Sequence, residues 1–331
     1  MIGACCGPSD ERHGASLDGS SGTEPGGGLH AVPAGAGAHP DTWVDVDTAT
    51  FRMGDDSVWA YPGDGEGPVH EVTVDGFRID RHAVTNEAFA RFVNATGWIT
   101  DAERFGWSFV FGGLLPDGFP DTRAVVGAEW WRQVFGADWR HPEGPQSGLD
   151  TRAEHPVVHV SWHDAAAYCR WTGTRLPSEA EWERAARGGR EGTAFPWGDD
   201  LEPGGEHRMN VFQGRFPDNN TGADGHLATA PVDAFPPNDL GLHNVTGNVW
   251  EWCADWFDVD AYAHHEARNP RGPAVGDRRV QRGGSYLCHL SYCRRYRVSA
   301  RYASEPVSST GNAGFRVATD AHPPPPSPVR G

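Results

Sequence analysis

No stretch of this chain approaches the ~20 consecutive apolar residues that a membrane-spanning helix needs. The start, Met1 to Pro8, lacks a basic segment followed by a long apolar one, so no secretory signal is expected. Cysteine is scarce: Cys5, Cys6, Cys169, Cys253, Cys288 and Cys293 are too few for a disulfide scaffold. Together these absences point to a reducing cytoplasm and to no membrane partner. Basic residues are also in deficit, with 28 Lys and Arg against 45 Asp and Glu and a formal charge of -17. Such a balance argues against nucleic-acid phosphates; it favours basic client peptides, and it is equally an ordinary route to solubility. The 16 histidines include no H-E-x-x-H, and neither G-x-S-x-G nor G-x-x-x-x-G-K occurs. Zinc-protease, serine-hydrolase and P-loop nucleotide chemistry therefore lack support.

What the chain has in abundance is glycine (43), proline (26) and tryptophan (14). The first two demand frequent turns, and the third suits an aromatic core. Residues 1–40 hold ten glycines and four prolines, a composition expected to stay disordered, and residues 320–331 read as a Pro-rich tail. Residues 41–319 show no repeat or linker and form one expected domain, taken as a monomer. Three helices carry start and stop signals. One runs from a Thr85 cap to Gly97 with Phe89, Phe92 and Val93 on one face. Another runs from Ser161 to Gly173 with Ala165, Ala166 and Cys169 inward. The third opens on a Ser178/Glu181 capping box and places Trp182, Ala185 and Ala186 on one stripe. Val157–Val160 and Arg278–Gln281 read as short strands, with His155 and His159 on one strand face. Helices and strands do not alternate regularly, which favours an α+β fold.

The most informative segment is Gly283-Gly284-Ser285-Tyr286-Leu287-Cys288-His289-Leu290-Ser291-Tyr292-Cys293-Arg294-Arg295-Tyr296-Arg297. Four residues separate its cysteines, the wrong spacing for a C-x-x-C knuckle. In a strand such residues face opposite sides, and in a helix they sit about 140° apart, so the sulfurs converge only if the backbone bends. Arg294, Arg295 and Arg297 would favour thiolates there. Two thiolates with no evident third ligand suit a soft ion such as Cu(I) better than tetrahedral zinc. Two buried apolar cysteines, or a plain disulfide, stay open as alternatives.

This run resembles the active-site segment of formylglycine-generating enzymes, also called sulfatase-modifying factors. So, in the same order, do His155-Pro156-Val157-Val158-His159-Val160-Ser161-Trp162, Arg175-Leu176-Pro177-Ser178-Glu179-Ala180-Glu181-Trp182-Glu183, Phe195-Pro196-Trp197-Gly198, Gly247-Asn248-Val249-Trp250-Glu251-Trp252 and Gly314-Phe315-Arg316. The resemblance spans roughly residues 40–319. It implies a single C-type-lectin-like domain with little regular secondary structure. It also implies an oxidase that converts the cysteine of a C-x-P-x-R motif in an unfolded sulfatase to formylglycine, using molecular oxygen and an external reductant. Cys288 and Cys293 would hold Cu(I), Ser285 and Tyr292 would line the pocket, and Trp250 would wall the oxygen site. Val298 and Val317 stand where secreted eukaryotic members share cysteines, which suits an intracellular protein and leaves Cys169 to the core. Trp107 and Ala83 stand where acidic groups for the client arginine are expected.

Two calcium sites are implied in the same way. Asn210 and Asp224 would give side-chain oxygens, with carbonyls from Val211 and His226. Asn244 and Glu251 would do so at a second site, with carbonyls from Gly247 and Val249; read alone, these are turn-forming residues. Two other functions compete. A non-catalytic binding module has no need of paired cysteines, and a sulfoxide-forming iron enzyme resembles a two-domain protein for which this chain has no room.

Overall fold

The computed structural model describes residues 32–320. Its strands, in chain order, are β1 (Trp43–Val46), β2 (Ala49–Met53), β3 (His70–Val74), β4 (Phe77–Asp80), β5 (Trp107–Phe111), β6 (Ala124–Val125), β7 (Ala128–Phe135), β8 (Gly214–Arg215), β9 (Asn219–Asn220), β10 (Trp250–Trp256), β11 (Arg279–Arg282), β12 (Arg301–Ser304), β13 (Ala313–Gly314) and β14 (Ala318–Asp320). The helices are α1 (Asn86–Thr96), α2 (Asp101–Phe105), α3 (Trp162–Thr172), α4 (Glu179–Ala186) and α5 (Ala261–His264). This is an α+β fold in which long irregular segments join short elements, as the glycine and proline content requires.

Three sheets organise the domain. The first runs β12-β11-β10-β13, with β13 parallel to β10 and the other pairs antiparallel. A second, β1-β4-β14, closes the two ends of the domain onto each other, and β5-β7-β6 forms the third. Thr85, Ser161 and Ser178 cap α1, α3 and α4 as expected, each side chain accepting the hydrogen bond of the N3 amide. Ala166 is the exception to the inward face expected on α3, being half-buried.

Two expectations change. Residues 32–40 pack on the domain and do not belong to a loose tail. Val32 joins the α1/α3 core, Gly35 and Gly37 donate backbone hydrogen bonds to Arg170 and Trp171, and His39 is bonded to Asp80 and Tyr168. Gly37 lies so close to Trp171 that a Cβ there would stand 2.1 Å from the indole. Asp320 likewise ends β14 and pairs with Arg175. The rest of both expected tails, with Cys5 and Cys6, lies outside the described residues. Val157–Val160 is not a strand, because His159 takes a left-handed φ of 58° and breaks the alternation. His155 therefore stays half-buried beside Thr229, while His159 is wholly buried between Ser108 and the Pro142 carbonyl.

Strands β11 and β12 are adjacent, and the segment joining them contains both cysteines of the informative run. Its two ends are held by one helix. Glu179 of α4 accepts from Arg282, the last residue of β11, at 2.8 Å, and from Arg301, the first of β12, at 2.6 and 2.9 Å. Glu183, one turn on, also pairs with Arg282. Burial would raise Glu179, yet Arg301 and Arg282 hold its carboxyl down at about 2. The rigid sheet thus presents a loop fixed at both ends, a common location for chemistry.

Candidate active site

Gly283 and Gly284 open the loop at φ 97° and 75°. A Cβ on Gly284 would meet Tyr296 Cα at 2.8 Å and the Arg295 carbonyl at 2.9 Å, so the segment can fold back on itself only with glycine there. A tight turn follows, in which the Cys293 amide donates to the His289 carbonyl at 2.8 Å. That turn supplies the bend the cysteine spacing demanded. Cys288 Sγ and Cys293 Sγ end 3.4 Å apart, both buried, in contact but far beyond the ~2.05 Å of a disulfide. None of the four described cysteines forms a disulfide. Cys169 and Cys253 lie elsewhere, and burial pushes the Cys169 thiol up to about 12 and raises that of Cys253 as well.

The walls come from three sources. Ser285 donates its amide to Cys288 Sγ at 3.4 Å, and its hydroxyl accepts from Asn312 Nδ2 at 3.0 Å. Asn312 precedes β13 and takes the Trp250 amide on its carbonyl, so β10 and β13 bring Ser285 and Trp250 to the same place. Trp250 is fully buried in the cluster that includes both cysteines, and its indole N–H has no hydrogen-bond partner. Tyr292 sits at the rim, stacked on Phe216 with centroids 4.0 Å apart and edge-on to Trp130 at 5.3 Å. Beyond Trp130 opens a cleft of about 700 Å³ lined by residues that include Asp117, Asp121, Glu129 and Asp218.

The three arginines do not all surround the sulfurs as expected. Arg294 lies over Trp59 and Tyr61, and Arg297 pairs with Asp55 and Glu66. Arg295 does reach the site, its Nη1 3.9 Å from Cys293 Sγ, and it pairs with buried Asp64. Burial pushes the Asp64 carboxyl up while Arg295 pulls it down. Asn312, Asp64 and Tyr61 are additions to the expected site. They come from loops remote in sequence, and their spacing carries no signal.

The donors present fit the implied metals unequally. Two sulfurs in contact, with no cluster of three His, Cys, Asp or Glu among the described residues, fit a soft ion of low coordination. At the first calcium constellation Asn210 Oδ1 is buried without a partner, and Asp224 accepts from the Val211 and His226 amides, 3.0 Å each. An orphaned buried oxygen, next in sequence to an amide held by a carboxylate, fits a hard cation. The second constellation is more crowded. Asn244 Oδ1 is also without a partner, but the Glu251 carboxylate is the counter-ion of buried Arg316, at 2.8 and 2.9 Å, and accepts from Trp182 at 2.7 Å. Glu251 is thus engaged as an ion-pair partner, and a cation held there with the Gly247 and Val249 carbonyls would sit beside that guanidinium.

A mixed α+β domain that holds two buried cysteines in contact, not joined by a disulfide, on a loop fixed at both ends defines a class of thiol-bearing scaffold. Residues 31–321 match the Sulfatase-modifying factor enzyme 1-like domain, and the chain belongs to that family. It is 56% identical over 281 residues to "Formylglycine-generating enzyme" of Thermomonospora curvata, covering 84% of this chain and 93% of that one. It is also 45% identical over 287 residues to "Inactive C-alpha-formylglycine-generating enzyme 2" of Bos taurus, covering 85% and 89%. Among solved structures, PvdO from Pseudomonas aeruginosa shares the fold at a TM-score of 0.60 and 27% identity, over 84% of this chain and 94% of that one.

Proposed function

We propose that this chain is an oxidase that converts the cysteine of a C-x-P-x-R client, such as an unfolded sulfatase, to formylglycine. The observation that carries this reading is the 3.4 Å contact between Cys288 and Cys293, both buried at a tight turn. Family membership alone does not decide the matter, since one relative bears an inactive name. The electrons fix the co-reactants. Converting the thiol carbon to an aldehyde removes two electrons and releases the sulfur as hydrogen sulfide. Dioxygen takes four electrons on its way to water, so an external reductant supplies the other two, with two protons.

Cys288 and Cys293 would hold Cu(I), which supplies the one-electron chemistry that lets dioxygen react with a thiolate. The chain's own residues do the rest. The apolar cluster around the sulfurs excludes water, which strengthens every charge interaction inside it. Ser285, oriented by Asn312, fixes the Cys288 side. Trp250 offers an unpaired N–H at the wall where oxygen would sit. The acidic cleft beyond Trp130 suits a client carrying an arginine.

Incubation with a C-x-P-x-R peptide, copper and a reductant, read by mass spectrometry, tests the reading. Cys288→Ser and Cys293→Ser should each abolish aldehyde formation and keep the fold; turnover within a few-fold of the parent rejects the assignment. Calcium is proposed at Asn210 and Asp224, and at Asn244 and Glu251. A chelator should lower the melting temperature by mass action, and Asp224→Ala should weaken that response. Coincident melts with and without chelator would dismiss an exchangeable site.

A further inference from the structure

A pair of buried thiolates sharing one Cu(I) carries a net charge of -1, and a client thiolate joining them makes it -2. Cys288 and Cys293 are 2% and 0% exposed, so water cannot balance that charge. Arg294 stacks on Trp59 and Arg297 is matched by Asp55 and Glu66, so both are engaged elsewhere. Arg295 is different. It is 4% exposed and places Nη1 3.9 Å from Cys293 Sγ. Its guanidinium is fixed over the Tyr61 ring at 4.2 Å, with Tyr302 beyond at 5.9 Å, and Asp64 holds its Nε and Nη2 edge. That edge is anchored by a carboxylate while Nη1 points to the sulfur, the arrangement of a cation shared between two anions.

We propose that Arg295 is the positioning residue that balances the negative charge of Cys288 and Cys293 when they hold Cu(I), and that Asp64 limits how much of its charge they receive. This rests on the copper reading and adds to it a residue and a sign. A neutral residue at 295 leaves the buried anion uncompensated and weakens Cu(I) binding. A neutral residue at 64 releases more of the arginine's charge to the sulfurs and strengthens it.

The test is Cu(I) affinity, measured anaerobically on the full chain by competition with a chromophoric Cu(I) chelator, with circular dichroism and a thermal melt to check each fold. Arg295→Met should weaken binding about tenfold or more, an effect the Coulomb energy of charges ~4 Å apart readily covers. Arg295→Lys, which keeps the charge but loses the fork held by Asp64 and Tyr61, should bind Cu(I) more tightly than Arg295→Met and more weakly than the parent. Asp64→Asn should bind several-fold tighter. Arg295→Met binding as tightly as the parent overturns the proposal, as does Asp64→Asn weakening it like Arg295→Met, which would make the pair a structural brace. Should Arg295→Met not fold, the sign of the Asp64→Asn change decides alone. A parent chain that binds no Cu(I) is a separate result, and it removes the copper reading itself.

Discussion

His159 makes two hydrogen bonds and meets no water. Its Nδ1 lies 2.8 Å from Ser108 Oγ and its Nε2 2.8 Å from the Pro142 carbonyl. Burial pushes its pKa down from 6.5 to about 4, so the folded chain keeps it neutral where the unfolded chain binds a proton. A depressed histidine contributes stability that is present above the unfolded value and is lost as pH falls toward the folded one. Between about pH 6.5 and 4 this group should cost about 1.4 kcal/mol per pH unit. His159→Asn should flatten that part of the stability curve, measured by urea unfolding at several pH values. An unchanged slope would mean that His159 is charged in the fold. Residue chemistry also explains what the sequence could show of the site. Cys288 and Cys293 lie in one run, so their association was readable. Ser285 and Trp250 were reached through a resemblance, while Asn312 and Asp64 arrive through β13 and a loop whose packing no local pattern encodes.

At the scale of elements, legibility followed capping chemistry. Helices α1, α3 and α4 were readable because Thr85, Ser161 and Ser178 each declare a start. Helix α2 carries the same signal, a complete Thr100/Glu103 capping box, but its five residues are too few to show a helical period. Most of the strands have two to five residues and leave too few alternations to read, and at 157–160 apolar character misled because His159 turns the chain. Helix α4 is the element on which the site depends most. Glu179 is buried and neutralises Arg282 and Arg301, the residues that start and end the cysteine loop. Glu179→Gln leaves both cations short of their partner, a class of change that costs ~3–5 kcal/mol. Chemical unfolding should show that loss, and Cys288 and Cys293 should become faster targets for a thiol reagent in the native state. Normal stability with unaltered labelling would show that the loop holds its own ends.

At the scale of the whole molecule the question is which chemistry the two sulfurs serve, because a dithiol can also exchange with client disulfides. A thiol-exchange protein would cycle Cys288 and Cys293 through a disulfide, with no metal and no consumption of oxygen. A Cu(I) oxidase needs both sulfurs reduced, since a disulfide has no thiolate left to coordinate. The fold bears on the choice. The loop that carries the two sulfurs is fixed at both ends, and a soft ion gains from two ligands already in place. Metal-free protein should therefore be nearly inactive on a C-x-P-x-R peptide. About one equivalent of Cu(I) should restore turnover, a strong soft-metal chelator should remove it, and oxygen uptake should track aldehyde product one to one, as the electron balance requires. Full activity in rigorously copper-free buffer would leave Cys288 and Cys293 as the reactive pair and give their chemistry to the dithiol.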